Sequence, residues 1–159
     1  MTTLLTILHV ATAVIFLGPV MVSSSLFGKN ALQASKGDDR ADAITSLLHG
    51  ITKLYGYLSA VVPLIGATML FTDWPTYKSQ WHFHVALVVS AAAWGVLFLL
   101  IIPRQAKTVE ALSADRQGPG VAEQLDVAPV NYVKEKGQQA MFAGIFNLLW
   151  VVVLVLMYL

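Results

Sequence analysis

The sequence has no cysteine, which excludes disulfides, thiolate metal centres and thiol nucleophiles. Charge is scarce. Only 12% of the 159 residues are Asp, Glu, Lys or Arg, and 57% are hydrophobic. A soluble domain of this size carries roughly twice that charge. All nine carboxylates fall in polar segments and none lies in an apolar run, so the intramembrane acid that a proton-coupled transporter relies on is missing. There is no His-Glu-x-x-His, no Gly-x-Ser-x-Gly and no phosphate-binding glycine loop. A non-enzymatic integral membrane protein of one domain is the expectation.

Four long uncharged windows supply its framework: 1–28, 54–72, 79–103 and 137–159. Each is long enough to cross a bilayer as a helix; Leu4–Val22 alone spans about 28 Å. The first window lacks the positively charged start of a signal peptide, so a retained membrane helix is expected. The fold predicted is all-α, a four-helix transmembrane bundle with helices at about 4–27, 44–71, 82–117 and 131–159. The third helix should continue beyond the membrane from Arg104 until Gly118-Pro119-Gly120 stops it. Asp38, Asp39 and Asp42 allow the second helix to start well before the bilayer.

Nine of the ten Lys and Arg residues lie in the first and third loops, against Lys78 alone in the second. The positive-inside rule puts those loops in the cytoplasm and both ends of the chain outside. Trp74, Tyr77, Trp81 and Tyr158 then form an outer aromatic belt. The third loop balances five basic residues with five acidic ones. That balance suits a solvated or protein-contacting surface rather than a nucleic-acid or polybasic lipid patch. Gly56/Ala60, Ala91/Gly95 and Ala140/Gly144 are small residues four apart, a spacing that lets helix backbones approach in lipid.

Polar groups within the apolar windows are the candidate functional residues. His9 lies 20 residues from Lys29, and His84 lies 20 residues from Arg104. Both are therefore about 30 Å from the inner boundary, at matched depth on different helices. Two such imidazoles could ligate a b-type haem axially, or contribute to a copper site that would want more ligands. The simpler reading is a pair of interfacial histidines bonded to backbone or water, with no cofactor. His49 lies on the opposite side and cannot join them. A second set sits near mid-membrane: Pro19, Pro63, Trp94 and Asn147. The prolines deprive the carbonyls of Ile15 and Ser59 of their helical donors, and the Asn147 amide and Trp94 indole are candidate replacements. A structural polar layer is expected; a hinge or midplane substrate site is the alternative.

The segment Leu8–Val20, LHVATAVIFLGPV, resembles the first helix of small bacterial inner-membrane proteins that opens Leu-His-x-x-x-Ala. These are distantly similar to CopD-type copper-resistance and HemJ-type haem-biosynthesis membrane proteins. By resemblance His9 is the family's first-helix histidine; the CopD-type and HemJ-type groups usually follow it with a Trp-x-Gly-Gly-like segment where this chain has Phe16-Leu17-Gly18-Pro19. The stretches FHVALVVSAAAWGVLFLLIIPRQ and GIFNLLWVVVLVLMYL look like the actinobacterial branch. Similar four-helix proteins there resemble accessory subunits of the cytochrome bcc–oxidase supercomplex, its association factors. The resemblance implies a non-catalytic accessory subunit of a larger, respiratory membrane complex. A haem-binding protein using His9 and His84 is the alternative, and a small-molecule permease ranks last.

Overall fold

The computed structural model describes residues 2–118, 120–124 and 126–159; Met1, Pro119 and Leu125 lie outside it. Its elements are α1 (Thr2–Ala34), α2 (Asp39–Leu58), α3 (Val61–Thr72), α4 (Trp74–Tyr77), α5 (Trp81–Gly95), a π-helical segment (Val96–Ile101), α6 (Ile102–Gln117), α7 (Val121–Gln124) and α8 (Tyr132–Met157). No strand occurs among the described residues. Four segments are long and apolar enough to cross a membrane: α1, α2 with α3, α5 through α6, and α8. This is an all-α, multi-pass membrane protein. α1 packs on α2, α3 and α8, and α8 packs on α5, which returns to α3.

The helices are longer than the apolar windows. α1 runs to Ala34, beyond the expected end near residue 27, and α2 starts at Asp39 rather than 44. The local chemistry explains the second boundary. Asp38 caps α2 by accepting the Ala41 N–H at 3.0 Å, and Asp39 and Asp42 favour its first turn. Asn131 caps α8 in the same way through Lys134 N–H. Gly118, at φ +114°, ends α6 at the residue the sequence indicated. Arg116 reaches across to Asp39 at 3.0 Å and Asp42 at 2.9 Å, tying the end of α6 to the start of α2.

Two irregularities interrupt the spans. The second breaks at Ser59–Ala60 and does not run through 44–71 as one helix. Pro63 thereby falls in the first turn of α3, where a missing N–H leaves no bond unmade. The Ser59 carbonyl, expected to lack a donor, accepts Val62 N–H at 3.0 Å. The third span widens into the π-helical segment immediately before α6, whose first turn holds Pro103. Pro103 cannot donate to the Leu99 carbonyl and its ring crowds it, and a wider turn relieves that clash.

Two apolar cores are stacked along the bundle. One contains Leu17, Val20, Leu97, Ile101, Phe146 and Trp150. The other, at the end carrying most basic residues, contains Phe27, Ala31, Ala41, Leu48 and Leu112. Between and beside them lie buried Ser23, Ser24, Thr45, Thr52, Gln105, Thr108 and Gln139. Most of the hydroxyls bond back to a carbonyl one turn earlier, such as Thr52 to Leu48 at 2.9 Å and Thr108 to Arg104 at 2.9 Å. Ser23 Oγ and Thr52 Oγ1 also meet across α1 and α2 at 2.7 Å. Thr52→Val should therefore cost about 1 kcal/mol, since interhelical hydrogen bonds in membranes are modest. A thermal melt in detergent measures this, and an unchanged midpoint would show that the bond contributes nothing.

Close approach uses some of the expected small residues and bypasses others. A Cβ on Gly56 would sit 3.2 Å from Leu97 Cδ2, so α2 does touch the π-helical segment there. The Ala91/Gly95 and Ala140/Gly144 pairs do not pack inside the bundle. Ala91, Ala140 and Gly144 are exposed, and a Cβ on Gly95 or Gly144 would meet nothing within 4 Å. The inward face of α5 is instead Ala86, Ser90 and Ala93. A close backbone approach falls at Gly28, whose Cβ would lie 3.1 Å from Lys136 Cα on α8.

Candidate functional site

At the end of the bundle away from the basic loops, aromatic rings gather. Phe71 stacks on Trp74 with ring centroids 5.8 Å apart, and His84 meets Trp74 edge-on at 5.7 Å. Tyr77 packs against Phe83 at 5.1 Å. Trp74, Trp81 and Tyr158 are exposed, as residues of an interfacial belt should be.

His9 and His84 have different neighbours. The His9 ring lies on α3, its Cε1 atom 3.1 Å from where a Gly66 Cβ would stand, and its Nδ1 is buried without a protein hydrogen-bond partner. The missing Cβ of Gly66 leaves a gap on α3, and the His9 ring fills it. His84 rests against Trp74 instead. Axial ligation of haem needs both imidazoles aimed at one iron from opposite faces of a porphyrin. Here the His9 ring sits on Gly66 of α3 and the His84 ring on Trp74, so each has a neighbour of its own. Among the described residues, no cluster of three or more His, Cys, Asp or Glu could hold a metal ion. Val88 and Ala91, one and two turns along α5 from His84, face outward; Val88 is 69% exposed.

The mid-membrane set is dispersed by role. Asn147 Nδ2 donates to Ser25 Oγ at 3.2 Å, linking α8 to α1. It therefore serves a helix contact and not a carbonyl freed by proline. The Trp94 indole N–H is buried with no protein partner, and Trp94 packs edge-on to Phe98 at 5.9 Å. Pro19 is accommodated within an unbroken α1.

The more organised polar site is one that the sequence did not single out. At the basic end, Gln105 on α6 and Gln139 on α8 are fully buried. Gln105 Oε1 lies 3.3 Å from His49 Nδ1, and Gln139 Nε2 donates to Glu135 Oε1 at 3.2 Å. Arg104 donates to Gln138 Oε1 at 2.7 Å, pairs with Glu135 at 3.4 Å and lies 5.1 Å above the Phe142 ring. Arg104 thus joins α6 to α8 at the level of both buried amides. Gln105 Nε2 and Gln139 Oε1 remain without protein partners. The available signal was that both glutamines fall within one turn of a charged window edge, Gln105 beside Arg104 and Gln139 beside Lys136. Chemically this network holds helices in register. It places no nucleophile beside a base.

Comparison with protein-family models, with curated proteins and with solved structures found no match to this chain.

Proposed function

We propose that this chain is a non-catalytic accessory subunit that packs against a larger complex in the bacterial plasma membrane. The observation that carries this reading is the outward direction of the small-residue face of α8. Gly137, Ala140 and Gly144 are exposed, and a Cβ on Gly144 would meet nothing within 4 Å. In lipid, such a face gains little as a lipid-contacting surface and much when another helix backbone approaches it. The charge asymmetry supports a topology with both ends outside and the Arg104–Glu135 network toward the cytoplasm. The sequence resemblance makes a respiratory complex of the cytochrome bcc–oxidase kind the first partner to test.

The test is affinity purification in mild detergent with mass spectrometry and an absorption spectrum on the same eluate. Stoichiometric co-purifying membrane subunits, which themselves account for any haem, are expected. Gly144→Leu should release those subunits while leaving the melting point of the isolated chain unchanged. Recovery of the wild-type chain alone, or retention of partners by Gly144→Leu, would overturn the reading.

A further inference from the structure

A recess of about 590 Å³ opens at the basic end of the bundle, between the start of α6 and the segment 127–130. A second, of about 450 Å³, continues beneath the same segment toward Tyr132. The wall nearest the membrane is apolar and includes Leu99 and Pro103, and Leu99 is 75% exposed on the lipid-facing side. Eight residues along, about 12 Å farther from the bilayer centre, the same recess is lined by Lys107.

The charges in the recess have unequal partners. Arg104 and Glu135 face it but satisfy one another at 3.4 Å. Lys107, Glu110 and Asp126 also line it, and none of the three takes part in an ion pair among the described residues. One free ammonium and two free carboxylates thus stand above an apolar wall continuous with the membrane.

We propose that this recess binds a zwitterionic phospholipid whose headgroup carries a primary ammonium, of the phosphatidylethanolamine type. The lipid phosphate pairs with the Lys107 ammonium. The ethanolamine ammonium donates to the Glu110 and Asp126 carboxylates, and an acyl chain lies along Leu99 and Pro103. The free charges decide the headgroup. An anionic lipid such as phosphatidylglycerol would bring its phosphate to Lys107 but offer the two carboxylates no cation. A choline head has no N–H to give them, and no aromatic side chain lines the larger recess, where the three free charges stand, to form a cage for a quaternary ammonium.

The test is native mass spectrometry of the delipidated full chain offered equimolar phosphatidylethanolamine, phosphatidylcholine and phosphatidylglycerol of matched acyl chains. Retention of one phosphatidylethanolamine per chain is expected, with a preference of about tenfold over each competitor. Glu110→Gln with Asp126→Asn should abolish the preference over phosphatidylcholine. Lys107→Ala should reduce binding of phosphatidylethanolamine itself. All three side chains are exposed, so these variants do not disturb the core, and circular dichroism verifies their fold. Equal retention of the three lipids, or an unchanged preference in the double variant, would overturn the assignment. Soluble O-phosphoethanolamine binding as tightly as the lipid would also overturn it, because the apolar wall would then contribute nothing.

Discussion

Gly28→Leu is expected to be the most damaging single substitution in the bundle. At this point α1 meets α8 backbone to backbone. A Cβ on residue 28 would stand 3.1 Å from Lys136 Cα, 3.2 Å from Lys136 O and 3.2 Å from Gln139 Cβ. Two of these atoms belong to the partner helix backbone, which cannot rotate away as a side chain tip can. A leucine adds three further carbons, and the helices must separate to accept it. Separation would also disturb Gln139, whose fully buried amide bonds Glu135 at 3.2 Å. Overpacking alone costs about 1–3 kcal/mol, and disturbing a buried polar group adds a comparable amount. The expected loss is about 3 kcal/mol or more, a fall of roughly 6–12 °C in detergent melting midpoint. Gly28→Ala should lose less, because alanine adds only the Cβ and recovers about 1 kcal/mol of helix propensity against those three contacts. Gly18 lies on the same helix with nothing within 4 Å of its Cβ position, so Gly18→Leu is the matched control and should melt near the wild type. Equal stability of the two leucine variants would refute the close approach at Gly28.

The same contact shows why parts of the fold could be read from sequence and parts could not. The four spans follow from uncharged length, because a run such as 79–103 excludes charge for long enough to cross the membrane. Which face turns inward is a harder question. In lipid the outside of a helix is as apolar as the inside, so apolar periodicity carries no direction. The four-residue spacing of Ala91/Gly95 is real, yet the face points outward. Ser90 held the missing phase information. A hydroxyl in a membrane helix tends inward, and stepping from Ser90 by three or four residues gives Ala86, Ala93 and Leu97, all buried. Setting the phase by His84 instead leads to Val88 and Ala91, both exposed. An imidazole near the interface can find partners on several sides, and this one found Trp74. Similarly, Pro63 signalled a local departure from helix, but the sequence could not distinguish a kink from a break. The choice was settled by Ser59, whose hydroxyl bonds Gly56 O at 2.7 Å and whose carbonyl takes Val62 N–H. The buried amides Gln105 and Gln139 looked like parts of a solvated extension because charged residues flank them. Their burial depends on α1 and α2 extending as far as the start of α6, a property of three helices together that no single window contains.

Those extensions set up the second large effect. Arg104→Met should destabilise the chain by about 2 kcal/mol, less than the 3–5 kcal/mol typical of breaking a fully buried pair. The reduction follows from exposure: the Arg104 side chain is 34% exposed and that of Glu135 15%. Loss of the guanidinium leaves Glu135 as a nearly buried carboxylate with only the Gln139 amide beside it. It also removes the 2.7 Å bond to Gln138 and the cation above Phe142. Arg104→Lys should recover only part of the stability. A lysine keeps the charge, but its compact ammonium lacks the planar fork and the flat face that stacks on a ring. Glu135→Gln alone should cost less than Arg104→Met, because the arginine retains Gln138, Phe142 and partial solvent access. The double variant Arg104→Met/Glu135→Gln discriminates between charge and packing. If the unpaired carboxylate is the main defect, the double variant should be about 1 kcal/mol more stable than the sum of the single losses requires. Strict additivity of the melting shifts would mean that the pair is electrostatically idle, with the Arg104 stem and its ring contact holding α6 to α8. The register of Gln105 and Gln139 would then depend on packing alone.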